Sequence, residues 1–201
     1  MNFNEIQNES GKFFLVTITC LNWMCLFEIT NLYDYVYQCF NMNLRKSVYT
    51  TGYVIMPDQL MSLVYSKNKH ISVKDIFSET KRFLAYEIVK RLKKLGRYDI
   101  LEMLHESVSV FDANKGQLHN VFHFSCEIEK LVSDYIFRKK LYYIHTKPVS
   151  GKWKLSDNYT DYIHSSAKFY ESGLEGIYKV VHFKEVSKIP AGFSCKLNIR
   201  L

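Results

Sequence analysis

The sequence predicts an α+β fold, a ferredoxin-like antiparallel sheet with helices on one face. Three observations carry that expectation. Two runs rich in β-branched and aromatic residues, Ser47 to Met56 and Leu60 to Tyr65, are separated only by Pro57-Asp58-Gln59, which reads as a hairpin. A long amphipathic stretch follows, opened by Ser72 and closed by Gly96. The order strand, helix, strand, strand, helix, strand, helix then fits a split β-α-β arrangement.

Phe13-Phe14-Leu15-Val16-Thr17-Ile18-Thr19, behind a polar lead-in over residues 1–12, is the first strand. Thr30 is placed to cap a helix running to about Met42, with Leu32, Tyr35, Val36 and Phe40 on one side. The hairpin strands come next. Val73, Ile76, Phe77, Thr80, Leu84, Ile88, Leu92 and Leu95 then hold helical spacing, with Ser72 and Asp75 as a weak capping box. Residues 97–110 predict a shorter helical or irregular segment, and Asn114 to Asn120 a loop. Val121 to Phe124 is the expected last strand. Ile128 to about His145 is the expected last long helix, stopped before Pro148. Beyond Gly151 the pattern is less regular. One domain over 1–201 follows, with a core at about 13–170 and a C-terminal extension at 171–201.

The chain has 201 residues and is 47% hydrophobic, which excludes a disordered class. Its net charge of +7 favours an anionic partner, nucleic acid ahead of membrane. No charged-then-apolar leader is visible at the N-terminus, and the run at Phe13 to Thr19 is too short to span a bilayer, so a cytoplasmic protein is expected. The five cysteines are scattered, without a C-x-x-C pair, and suggest neither a disulfide framework nor a zinc site.

Two segments point to chemistry. From Lys67 to Arg97 there are ten basic residues against three acidic ones, an excess equal to the whole chain's net charge. On a helix, Arg82, Lys90, Lys93 and Arg97 project opposite the apolar stripe and suit a phosphate backbone; a solvated helix face is the plainer reading of the same charges. The second segment is Leu141-Tyr142-Tyr143-Ile144-His145-Thr146-Lys147-Pro148-Val149.

At this second segment the chain resembles the REP-associated tyrosine transposases, part of the single-tyrosine HUH transposases, in which a Tyr-Ile-His-x-Asn-Pro-Val segment carries the nucleophile. The resemblance implies that Tyr143 occupies the position of the tyrosine that attacks a DNA phosphodiester. It extends to Phe14-Leu15-Val16-Thr17-Ile18-Thr19, to Trp23 and Phe27, to Ile71 through Phe83 with Lys81 in register, and to Tyr162-Ile163-His164-Ser165-Ser166-Ala167. Ile55-Met56-Pro57-Asp58-Gln59-Leu60-Met61 aligns with a family pattern close to L-M-P-N-H-x-H. The match spans roughly residues 13 to 170.

The family's two metal-binding histidines fall on Gln59 and Met61, and a third ligand position, usually an amide, falls on Lys147. Enzymes of this family use Mg²⁺ or Mn²⁺ to polarise the scissile phosphate. A thioether is too soft for such an ion, and an ammonium repels it. No metal or cofactor is therefore expected here. The resemblance implies a transposase-like protein that binds DNA, single-stranded or hairpin, through Lys81, Arg82, Lys90, Lys93 and Arg97, and is catalytically inactive. The alternative is an active single-strand nickase using Tyr143 with an altered or metal-independent site. A scaffold acting through protein contacts is a third reading. His145 and His164 read as structural. Relatives are known as dimers and as monomers, so a homodimer stays open; no membrane partner is expected.

Overall fold

Alternation along the strands decides which side of the sheet each residue faces, and here both sides are apolar. The computed structural model describes residues 12–67, 71–123 and 126–189. In chain order the elements are β1 (Lys12–Thr19), α1 (Leu26–Ile29), α2 (Tyr33–Arg45), β2 (Val48–Ile55), β3 (Gln59–Ser66), α3 (Val73–Lys94), α4 (Tyr98–Glu106), α5 (Val110–Ala113), β4 (Glu127–Leu131), α6 (Asp134–Thr146) and α7 (Ala167–Ser172). The four strands form one antiparallel sheet in the order β2-β3-β1-β4. The α+β ferredoxin-like architecture read from the sequence is therefore the one observed.

One face of the sheet presents Val16, Ile18, Tyr53, Ile55, Leu60 and Val64 to a core completed by Val36 and Phe40 of α2 and by Phe77, Leu84 and Ile88 of α3. The opposite face presents Phe13, Leu15, Val54, Met61, Leu63 and Tyr65 to Phe137, Leu141 and Ile144 of α6. Helices on one face thus describes α2 and α3 only. The third long helix covers the other side because β1 and β3 are apolar at both odd and even positions, and each face needs cover. Contact on that side is close at Gly52, where β2 slips its register against β3. A Cβ at Gly52 would lie 2.7 Å from Leu141 Cδ1. Burial continues past residue 170: Tyr178 and Val180 join the first core, and Phe183 and Val186 the second.

The main helix behaves as its ends predict. Ser72 Oγ accepts from the Asp75 N–H at 3.2 Å, and Gly96 closes the run at φ +68°. Four boundaries differ from expectation. Thr30 does not cap α2; its hydroxyl donates back to the Leu26 carbonyl at 2.6 Å, and the chain turns through Asn31 at φ 45° before the helix starts. The hairpin turn is Pro57-Asp58, since the Met56 N–H already donates to the Gln59 carbonyl at 2.8 Å, so Gln59 belongs to β3. The regular last strand is Glu127–Leu131 rather than 121–124, and α6 begins at Asp134 rather than near Ile128.

This last shift has a clear cause. Phe122 makes only an isolated bridge to Cys20, and Phe124 lies outside the described residues. Glu127-Ile128-Glu129-Lys130-Leu131 alternates, pairing with Phe13 through Thr17, and Ser133 Oγ then accepts from Ile136 N–H at 3.2 Å to start the helix. Its glutamates, lysine and leucine are also good helix formers, which is why the segment reads either way. No helix among the described residues is long and apolar enough to cross a membrane.

Candidate functional site

Two-residue spacing on β3 puts Gln59 and Met61 on the face that α6 covers. Gln59 pairs with Thr19 and Met61 with Thr17. Tyr143, on α6, is 46% exposed and shares a cleft of about 390 Å³ with Met61. Thr17, Glu127, Glu129, Lys139 and Lys140 also line it. Lys147, one helical turn after Tyr143, holds its ammonium 5.0 Å from the Tyr143 ring centroid. The fold therefore brings Met61 and Tyr143 into one cleft and sets Lys147 against the Tyr143 ring without making it a wall of that cleft. Gln59 shares their side of the sheet but is not among the walls of the cleft.

At the positions that the resemblance assigns to metal ligands, the side chains present suit a hard divalent ion poorly. Met61 offers a thioether and Lys147 a cation, and an ion such as Mg²⁺ takes oxygen ligands. Glu129 is paired with Lys140 at 2.7 Å. Among the described residues no three His, Cys, Asp or Glu side chains converge on a point. Glu127 and Glu129 were missed in the sequence because a helix was expected from Ile128, which took in Glu129 and left Glu127 outside any element; the Glu-x-Glu alternation was the available signal.

Asp58, in the hairpin turn, is fully buried, and neither carboxylate oxygen has a hydrogen-bond partner among the described residues. Its nearest counter-charge is Lys152 Nζ at 3.7 Å. Burial raises its pKa above the ordinary 3.8, opposed by Lys152 and more weakly by Lys147. A carboxyl whose folded pKa is raised favours the fold at low pH, and loses that contribution as pH rises through the folded value. Asp58→Asn, which keeps the shape and removes the buried charge, is expected to raise the melting temperature at pH 7 by a few degrees. The gain should shrink toward pH 4; melts of both proteins across that range check it.

The two histidines of the family-like segments are structural. His145 is buried, with Nε2 2.8 Å from Ser166 Oγ, and the same hydroxyl accepts from the Tyr53 N–H at 2.9 Å. This ties α6 to β2 through the segment before α7. His164 stacks on Tyr33 at 3.6 Å between centroids and lies 3.0 Å from the Tyr37 hydroxyl. Burial pulls the His145 pKa down to about 3 and that of His164 to about 4.

The basic residues of α3 divide by partner. Lys81 donates to the His123 carbonyl at 2.5 Å, and burial lowers its pKa. Lys90 lies 3.2 Å from Glu87, and Arg97 lies 2.7 Å from Asp99. Arg82 and Lys93 have no carboxylate partner among the described residues, and both line a larger cleft on the outer side of α3. Of the five candidate phosphate contacts, these two are the least engaged within the protein.

No family model matches the chain, and no curated protein does. Among solved structures, the chain is similar to a REP-associated tyrosine transposase bound to a REP hairpin, over 99% of this chain and 93% of that one, with a TM-score of 0.51 and 11% sequence identity. At that identity the likeness is one of backbone architecture: the chain has the α+β fold of a REP-associated tyrosine transposase.

Proposed function

We propose that this is a transposase-like DNA-binding protein that holds single-stranded or hairpin DNA without cutting it. The observation that supports the reading is the cleft that Tyr143 shares with Met61, with the Lys147 ammonium over the Tyr143 ring; if Tyr143 holds the nucleophile's position, as the resemblance implies, a thioether and a cation stand where metal ligands would be needed. An unassisted phosphodiester resists attack by a phenol, so loss of the ion removes the step while leaving the fold able to bind. No metal or cofactor takes part in this reading. The fold's likeness to a hairpin-bound transposase supports DNA as the ligand, and the unpaired cations of α3 supply a phosphate-facing surface.

Binding of a labelled hairpin, followed by fluorescence anisotropy from low to moderate salt, tests this. Affinity is expected to fall steeply with salt. Arg82→Gln with Lys93→Gln should weaken it and flatten the slope of log affinity against log salt by about two. Lys90→Gln or Arg97→Gln should do less, because each cation already has a carboxylate. Absence of binding at low salt would sink the proposal and favour a scaffold acting through protein contacts.

A second reading, a working nickase, draws on one contact. The Lys147 ammonium lies 5.0 Å from the Tyr143 ring centroid, and in this reading its charge would replace the metal's at the phosphate. It requires a deprotonated Tyr143, and two carboxylates, Glu127 and Glu129, share the cleft.

A further inference from the structure

A second cleft, of about 660 Å³, lies between the outer face of α3 and the segment 112–122. Its α3 wall contains Arg82, Tyr86, Val89 and Lys93, spaced so that all four fall on one stripe of the helix. Lys115 and Leu118 belong to the opposite wall, and the buried Val121 and Phe122 to its lining. The volume falls within the roughly 300–1,000 Å³ typical of ligand sites.

The lining is unusual for a surface that only meets water. Tyr86 is 66% exposed and Leu118 64%, and Tyr86 stacks on no ring among the described residues. Arg82, Lys93 and Lys115 have no carboxylate partner among the described residues, though Lys115 Nζ lies 3.8 Å from the Phe111 ring centroid and the Arg82 guanidinium 5.5 Å from that of Phe83. The acidic residue in the lining, Asp112, is engaged by the Ser109 hydroxyl at 2.6 Å. An exposed aromatic and an exposed aliphatic side chain beside three cations without a carboxylate partner complement a ligand that is flat on one part and anionic on another. An unstacked nucleotide has that chemistry; a base inside a duplex does not, because its faces are already covered by its neighbours.

We propose that this cleft holds one unstacked nucleotide of a single-stranded DNA segment, its base on Tyr86 beside Leu118 and its phosphates between Lys115 and the Arg82–Lys93 edge. The proposal rests on the reading of the protein as DNA-binding. It adds a place for a base, which α3's charges alone do not provide. His119 offers a local reporter. Its pKa is held below the ordinary 6.5 by burial, then by Lys93 and His105, so a phosphate settling beside Lys93 raises it.

The test compares labelled oligothymidine, a blunt duplex and free thymidine monophosphate on the full chain. Tyr86→Ala is expected to weaken oligothymidine binding about tenfold and leave duplex binding unchanged, while Tyr86→Trp retains binding. Oligothymidine carrying 5-iododeoxyuridine should crosslink to Tyr86, and the His119 imidazole should titrate higher in its presence. If the wild type binds oligothymidine and Tyr86→Ala binds it equally well, the nucleotide site is wrong and the DNA-binding reading stands. If free thymidine monophosphate binds as tightly as the oligomer, the occupant is a mononucleotide and the single-strand assignment is overturned. If the wild type binds neither DNA, both fall together.

Discussion

No covalent protein–DNA adduct is expected when the protein is incubated with single-stranded or hairpin DNA and Mn²⁺ and run on a denaturing gel. Tyr143→Phe should look the same as the wild type. A divalent ion on the scissile phosphate supplies several kcal/mol of charge stabilisation, so its loss alone costs a factor of about a thousand or more in rate. The converse experiment is constructive. Gln59→His with Met61→His places two imidazoles on one face of β3, and this double variant should bind Ni²⁺ or Mn²⁺ measurably in calorimetry where the wild type gives no heat. Cleavage is still not expected from it while Lys147 keeps its charge. A wild-type adduct that disappears in Tyr143→Phe would establish the nickase reading instead.

Acid should unfold this protein early. His145 and His164 are held neutral by burial, with pKa values of about 3 and about 4 against an ordinary 6.5. Because the folded values are lowered, the unfolded chain takes up protons that the folded chain refuses as pH drops below 6.5. Stability is therefore complete above that pH and is lost downward toward 4 for His164 and 3 for His145. The loss is at most about 1.4 kcal/mol per pH unit for each histidine, and less for His164, which is only partly buried and is screened by solvent. Asp58 works in the opposite direction over the lower part of this range, and offsets part of the loss. Urea unfolding at pH 7, 5.5 and 4.5 measures the slope. His164→Phe, which keeps a ring against Tyr33, should remove the smaller share of it. A stability that stays flat between pH 6.5 and 4.5 would refute the assignment.

The fold was legible where local signals agreed with tertiary demands. Ser72 and Gly96 bracket α3 because a cap and a left-handed terminator act within a few residues. The hairpin at Pro57-Asp58 was legible for the same reason. The sheet's second helical layer was not, since apolar residues on both faces of β1 and β3 say that cover is needed without saying what provides it. Glu127–Leu131 was ambiguous because its composition suits a helix while its alternation suits an edge strand. In the site, the shared face of Gln59 and Met61 followed from strand periodicity. That Met61 shares the Tyr143 cleft and Gln59 does not depends on how α6 docks, which no short window of sequence carries. The ion pairs that occupy Lys90 and Arg97, and the turn of Lys81 toward the His123 carbonyl, are likewise products of packing.

Gly52 acts as a spacer of zero thickness. Leu141 rests where a side chain at that position would begin, two residues before Tyr143. The space between α6 and the sheet near Tyr143 is thus bounded by a position on a third element, β2, that carries no side chain. An alanine there asks only the tip of Leu141 to rotate, whereas a valine would act as a wedge under α6 and lift the phenol out of register with Met61. The geometry of the cleft is therefore adjustable from a residue that does not line it.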